Sequence, residues 1–302
     1  MSTVRPAQRG LLFLGCLLAF VRWEPAPYDL FLIIIFLLYA RGLTWKSYQL
    51  VFVVLLGPLL FTHVPALGAA LEVAPERTLY YSLVTLYLAL SSVFFMSLPE
   101  RSVPLLLLGY EVGALLSGLL GVLAFLRIPG LEDLLWGGSR AVAFFKDPNV
   151  FGAFLIPALF LALARLEQGR KFWILPALIL FLGVLVSLSR GAWANFAVAL
   201  LAWWLLRPRK RIWLPLVLLT LAGGVGISVV VMPDNPIVQR LGFMPYDKER
   251  FFTQMEALSL ALTQPLGYGP GLSEIHLSYA THNTYVRILA EVGWLGLFFW
   301  LL

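Results

Sequence analysis

His282 is the residue of this sequence best placed to move a proton. It stands in Thr281-His-Asn-Thr-Tyr285, where a polar stretch runs into the last apolar segment, so it falls at or just before the N-terminus of a helix. The positive end of a helix dipole disfavours the imidazolium, and a neutral histidine suits a general base near pH 7. The unpaired backbone N–H groups of the same helix end can also hold an anion. Position alone also fits an interfacial histidine that hydrogen-bonds its own loop. Arg190, in Ser187-Leu-Ser-Arg-Gly-Ala-Trp193, is the only charge at the join of two apolar runs. A guanidinium at that depth must either reach the interface along its stem or meet a partner, which makes it a functional candidate. In Phe144-Phe-Lys-Asp-Pro-Asn149, Asp147 and Pro148 read as the N-cap and first residue of a helix, which leaves Lys146 and Asn149 for other work. Glu111 and Glu291 lie inside apolar runs and need partners. Arg287, one helical turn before Glu291, is the expected partner of the latter.

With Arg250 added, the set is three cations (Arg190, Arg250, Lys146) and a histidine at a helix start. Such a set suits transfer from a donor that carries a pyrophosphate. Pyrophosphate is already a good leaving group, so the protein must mainly neutralise its charge and deprotonate the attacking hydroxyl. No metal is required in principle, and no cofactor is expected. One cysteine, Cys16, excludes an internal disulfide or a thiolate cluster, and His63, His276 and His282 lack metal-ligand spacing.

The elements that must position these residues are membrane spans. Of 302 residues, 60% are hydrophobic and 13% charged, against about 25% charged in soluble domains. The expected fold is all-α, a polytopic transmembrane helix bundle forming one integral membrane domain over 1–302. Apolar runs bounded by charge, Pro or Gly give about ten spans of roughly the length needed to cross: 10–22, 28–40, 48–62, 78–98, 103–126, 150–165, 172–188, 192–206, 212–232 and 284–302. The first two are short and joined by the tight Trp23-Glu-Pro-Ala-Pro27, which suits a helical hairpin. Residues 1–22 also resemble a signal peptide, but the apolar stretch continues past Cys16 without a small-residue cleavage pattern, and an uncleaved span is expected.

A net charge of +6 would in a soluble protein suggest nucleic acid. Here the cations divide by side of the membrane instead. With the N-terminus inside, Arg165, Arg170, Lys171 and the run Arg207-Pro-Arg-Lys-Arg211 fall in short inner loops, with Arg5, Arg9, Arg41, Lys46 and Arg101 on the same face. The inner side carries about +10 and the outer about −3, the bias expected of a cytoplasmic N-terminus. One long outer loop remains, about 233–283. Within it Phe251, Met255, Leu258 and Leu262 share a helical face, which predicts an amphipathic helix at the outer interface, with Asp247 as N-cap and Pro265 and Gly267 as the stop. Pro265-Leu-Gly-Tyr-Gly-Pro-Gly271 follows. Its alternating glycines permit either a re-entrant turn or close backbone approach to a ligand.

Lys146 to Leu155, Ser189-Arg-Gly-Ala-Trp193, Arg250 ahead of the loop helix, Pro265 to Gly271, and Thr281-His-Asn-Thr-Tyr285 followed by Ala290-Glu-Val-Gly-Trp-Leu-Gly296 resemble, in order and spacing, the O-antigen ligase and O-antigen polymerase superfamily. The likeness covers about residues 140–302. It implies an inverting, metal-independent glycosyltransferase in the bacterial inner membrane, with its active site on the periplasmic face. The implied donor is a glycan on undecaprenyl pyrophosphate. The implied acceptor is a sugar hydroxyl of lipid A-core, as in lipopolysaccharide O-antigen ligation, or of another lipid-linked glycan, as in a polymerase. Membrane lipids are the remaining partners, and no nucleic acid is expected. Carried over by motif, His282 is the base and Arg190 and Arg250 bind pyrophosphate, with Lys146, Asn149 and Asn283 as further substrate contacts. One departure is that members of the superfamily usually carry more spans after the His-Asn helix, whereas this chain stops within an apolar run, so a truncated C-terminus is expected. A transporter or flippase of lipid-linked sugars is the competing class. It predicts two similar halves with broken spans near the midplane, and the sequence contains no such repeat.

Overall fold

In a computed structural model of the chain, the residues described are 6–39, 47–206, 245–277, 281 and 283–301. The expected span 212–232, the basic run Arg207 to Arg211, Arg5, Arg41, Lys46 and His282 lie outside them. The described chain is mostly helical: α1 (Pro6–Leu17), α2 (Pro27–Tyr39), α3 (Ser47–Phe61), α4 (Val64–Val73), α5 (Pro75–Met96), α6 (Val103–Phe125), α7 (Pro148–Glu167), α8 (Ile174–Val186), α9 (Arg190–Leu205), α10 (Pro245–Thr263), α11 (Ser273–His276) and α12 (Thr284–Leu301).

Each expected span other than 212–232 overlaps one of these helices, with ends that differ by up to several residues. Five stretches among the described residues are long and apolar enough to cross a membrane: Leu56–Val73, Pro75–Met96, Glu100–Phe125, Pro148–Glu167 and Thr284–Leu301. Pro27–Tyr39 and Lys171–Val186 are apolar but shorter. Two features were not expected from sequence. Helix α4 resumes directly after α3, because Pro65 sits in its first turn, where a missing N–H costs nothing. Between α6 and α7 a small antiparallel hairpin pairs β1 (Leu135–Trp136) with β2 (Arg140–Ala141), closed by Gly137 and Gly138 at positive φ.

The chain forms two compact units, 1–41 with 100–242, and 42–99 with 243–302. In the first, α1 and α6 approach so closely that a Cβ on Gly109 would meet the Leu12 carbonyl, and one on Gly113 would stand 2.6 Å from the Cys16 carbonyl. The pairings rise together along both helices, so α1 and α6 run in the same direction. Gly109-Tyr-Glu-Val-Gly113 is thus a small-residue stripe of the kind that lets membrane helices touch through backbone and gain dispersion contacts. Phe145, Phe151, Leu155, Leu180, Val184 and Phe196 fill the remaining core between the hairpin, α7, α8 and α9. Glu111 finds its partner in Arg165 at 2.6 Å, and that guanidinium also lies 4.1 Å from the Trp173 ring centre.

The second unit holds α3, α4, α5 and α10 to α12. Its last helix is broken at Gly293, where φ is 73° and ψ −170°. Helix α10 packs on α12 through Ala257, with Ala290 and Leu277 completing a buried cluster. Asp247 is not the N-cap of α10 as expected but lies buried within the helix, whose described residues begin at Pro245. A carboxylate near the N-terminal end of a helix still favours its dipole.

Candidate functional site

In the first unit the candidate residues gather at two helix starts. Asp147 has extended backbone and its carboxylate accepts from the Asn149 N–H at 2.6 Å, with Pro148 opening α7, as the sequence predicts. Ser189 caps α9 by accepting from the Ala192 N–H at 3.2 Å, which makes Arg190 the first residue of that helix. The turn before it is tight: Leu188 adopts φ 49°, and the Ser189 N–H donates to the Ser187 hydroxyl. A Cβ on Gly152 would stand 2.6 Å from the Ser187 hydroxyl, so the absence of a side chain there is what brings α7 against this turn.

Arg140, at the end of the hairpin, ties the two starts together. It donates to the Asn149 side-chain oxygen and to the Ser187 carbonyl, each at 3.1 Å. Sequence reasoning missed Arg140; the signal that could have found it is the Gly-Gly turn that folds the hairpin back toward α7. Lys146 is exposed and ion-paired with Glu24. Two helix N-termini and the cations Arg140, Lys146 and Arg190 therefore occupy one end of the unit, an arrangement suited to an anion. In the preceding turn Glu132 is held below the ordinary carboxylate range by its own N–H and that of Gly130, the latter at 3.1 Å.

In the second unit Asn283 is the N-cap of α12. Its side-chain oxygen accepts from the N–H groups of Tyr285 at 3.0 Å and Val286 at 3.3 Å. The helix begins at Thr284, so the His-Asn pair precedes it in sequence as expected. Arg287 pairs with Glu291 at 3.0 Å, also as expected, and the Ser273 hydroxyl donates to the same carboxylate oxygen at 2.6 Å. Arg250 is half-buried in the first turns of α10.

The glycine loop is held by an exchange of backbone bonds with the broken helix. The N–H groups of Tyr268 and Gly269 donate to the carbonyls of Ala290 and Glu291 at 2.9 Å, and the Trp294 N–H donates to Pro265 at 3.1 Å. Gly267, Gly269 and Gly271 all have positive φ, and a Cβ on Gly267 or Gly293 would strike the facing backbone. Arg77, a residue the sequence did not single out, donates to the Gly271 carbonyl and pairs with Glu274. Both Arg77 and Arg287 lie over the Tyr81 ring, at 5.3 and 4.2 Å from its centre. The result is a wall of paired charges beside the turn that leads to residues 278–283.

Lys146, Asn149 and Arg190 thus belong to the first unit, and Arg250 and Asn283 to the second. A helical protein with membrane-crossing segments and capped helix starts carrying arginines is the class defined so far. Residues 175–301 match the family model of the O-antigen ligase. That stretch, less than half of the chain, is similar to the O-antigen ligase family, and the long apolar helices mark a membrane protein. The match includes Arg190, Arg250, His282 and Asn283 and leaves out Lys146 and Asn149. No curated protein and no solved structure matches the chain.

Proposed function

We propose that the protein is a metal-independent glycosyltransferase that moves a glycan from undecaprenyl pyrophosphate to a sugar hydroxyl of lipid A-core, at the periplasmic face of the bacterial inner membrane. The observation that carries this reading is the domain match over 175–301, which spans Ser189-Arg-Gly-Ala-Trp193, Arg250, the glycine loop and Thr281-His-Asn-Thr-Tyr285 in one stretch. In the reaction the acceptor oxygen attacks the anomeric carbon from the face opposite the leaving group. The bond from that carbon to the phosphate oxygen breaks, the acceptor proton passes to His282, and undecaprenyl pyrophosphate departs with the bonding pair. Arg190 and Arg250 neutralise the pyrophosphate as its charge develops. Lys146, Asn149 and Asn283 contact the substrates, Asn283 while its oxygen also caps α12.

A polymerase reading uses the same groups with a lipid-linked glycan as acceptor, and the match to the superfamily supports it in the same measure. The test is to incubate purified protein with undecaprenyl-pyrophosphate-linked oligosaccharide and lipid A-core in the presence of EDTA. Glycosylated lipid A-core is the expected product, and a ladder of longer lipid-linked glycans identifies the polymerase instead. His282→Ala lowers the rate about 10²- to 10⁴-fold if the histidine is the base. Wild-type rates in that variant would remove the assignment.

A further inference from the structure

We infer that residues 245–277 form a re-entrant hairpin whose apolar edge faces lipid acyl chains, rather than an element resting on the membrane surface. The register of α10 against α12 carries the argument. Ala257 packs with Ala290 and Val286. One turn further, the Ala261 carbonyl accepts from the Trp294 indole at 3.1 Å, and the Pro265 carbonyl accepts from the Trp294 N–H. Both numbers rise together, so α10 runs alongside α12 in the same direction. The chain then turns back. Tyr268 and Gly269 bond to Ala290 and Glu291, and Leu277 has returned to the Ala257–Ala290 cluster.

Helix α12 is long and apolar enough to cross a membrane. At 1.5 Å per residue, Gly293 lies about 13 Å along it from Thr284, near the middle of a helix about 27 Å long. The glycine turn facing Gly293 is therefore at the same depth, well below the surface at which α12 begins. Irregular backbone is tolerated at such depth only if its polar groups are satisfied by protein. The exchange described above does this: the break at Gly293 frees carbonyls that the loop N–H groups take, while Pro265 takes the Trp294 N–H in return.

Charge distribution agrees with a descending helix. Asp247, Lys248, Glu249 and Arg250 crowd the first turns of α10, and from there to Glu274 the only further ionisable carboxylate or cation is Glu256. A helix lying flat keeps charge along its whole polar face. Phe252, Met255 and Leu262 are 73%, 65% and 72% exposed, and Leu266 at the turn 53%. On α12 at matching depth, Trp294, Leu295 and Phe298 are exposed too. Both helices thus present exposed apolar side chains at matching levels, and the occupant that fits them is the acyl region of the bilayer that α12 is long and apolar enough to cross.

The test uses a Cys16→Ala background, since Cys16 is the single cysteine, with nitroxide labels on Lys248→Cys, Met255→Cys, Leu258→Cys, Leu262→Cys and Leu266→Cys in reconstituted phosphatidylcholine–phosphatidylglycerol vesicles. Collision rates with oxygen and with a water-soluble nickel chelate then report depth. Depth is expected to increase steadily from 248 to 262, by about 20 Å in all. Equal, shallow depth at 255, 258 and 262, or access of the nickel chelate at all five positions, overturns the hairpin. A second measurement needs no cysteine exchange: benzophenone-alanine replacing Leu262 crosslinks to acyl chains, whereas the same group replacing Lys248 does not. Failure of the Leu262 position to label lipid overturns the proposal. Both readouts are taken without donor or acceptor, so they are independent of whether the protein transfers glycans.

Discussion

The two units keep their helices together by different means. The first rests mainly on close apolar contact: α1 and α6 touch through Gly15, Gly109 and Gly113, apolar side chains fill the spaces around α7 and α8, and the polar links are few, chiefly Glu111 with Arg165 and Arg140 with Asn149. The second is built on polar satisfaction, with Arg77, Glu274, Arg287, Glu291 and Ser273 joined to a glycine loop that trades backbone bonds with a broken helix. The difference follows from what each must accommodate. Intact helices bond all their own backbone and need only shape to pack, whereas an interrupted helix inside a membrane protein leaves carbonyls and N–H groups that something must answer.

The sharpest way to break the contrast is Glu291→Leu. Glu291 is 7% exposed and holds both Arg287 and Ser273, so its loss leaves a partly buried guanidinium without its carboxylate. The expected cost is about 3 kcal/mol, at the lower end for a broken buried pair because Arg287 is a third exposed. Thermal unfolding of the detergent-solubilised protein measures it, and the double change Arg287→Leu with Glu291→Leu should recover part of the loss. An unchanged midpoint in the single variant would mean that the pair does not hold the loop. In the first unit Gly109→Leu should cost about 1–3 kcal/mol by forcing α1 off α6, with no recovery from any charge change. Smallest are the caps, where Asp147→Ala and Asn283→Ala should each cost about 1 kcal/mol. Equal small shifts in the two units would show that capping is local and indifferent to the surrounding packing, while a much larger effect of Asn283→Ala would tie the cap to the glycine loop.

Some of the structure around the candidate residues was legible because it is local. Asp147-Pro148 was read as the start of α7 and opens it, since N-capping depends only on the residues of one turn, whereas the caps Ser189 of α9 and Asn283 of α12 came from the structure. Arg287 and Glu291 were recognised as partners because four residues on a helix bring side chains to one face. Helix α4 was missed because Pro65 reads as a break when its position in the first turn is unknown.

What the amino-acid sequence determined by itself is therefore the apolar character of the chain, most of its helix starts and the likeness of residues 175–301 to the O-antigen ligase family. Tertiary structure alone decided which distant polar groups meet. It chose Arg165 for Glu111, Arg140 for Asn149 and the turn before Arg190, and Arg77 for the Gly271 carbonyl 194 residues away. No period along the chain encodes such pairs. They are selected when helices pack closely enough that a buried charge or an open backbone group must find a partner, and the nearest guanidinium supplies it.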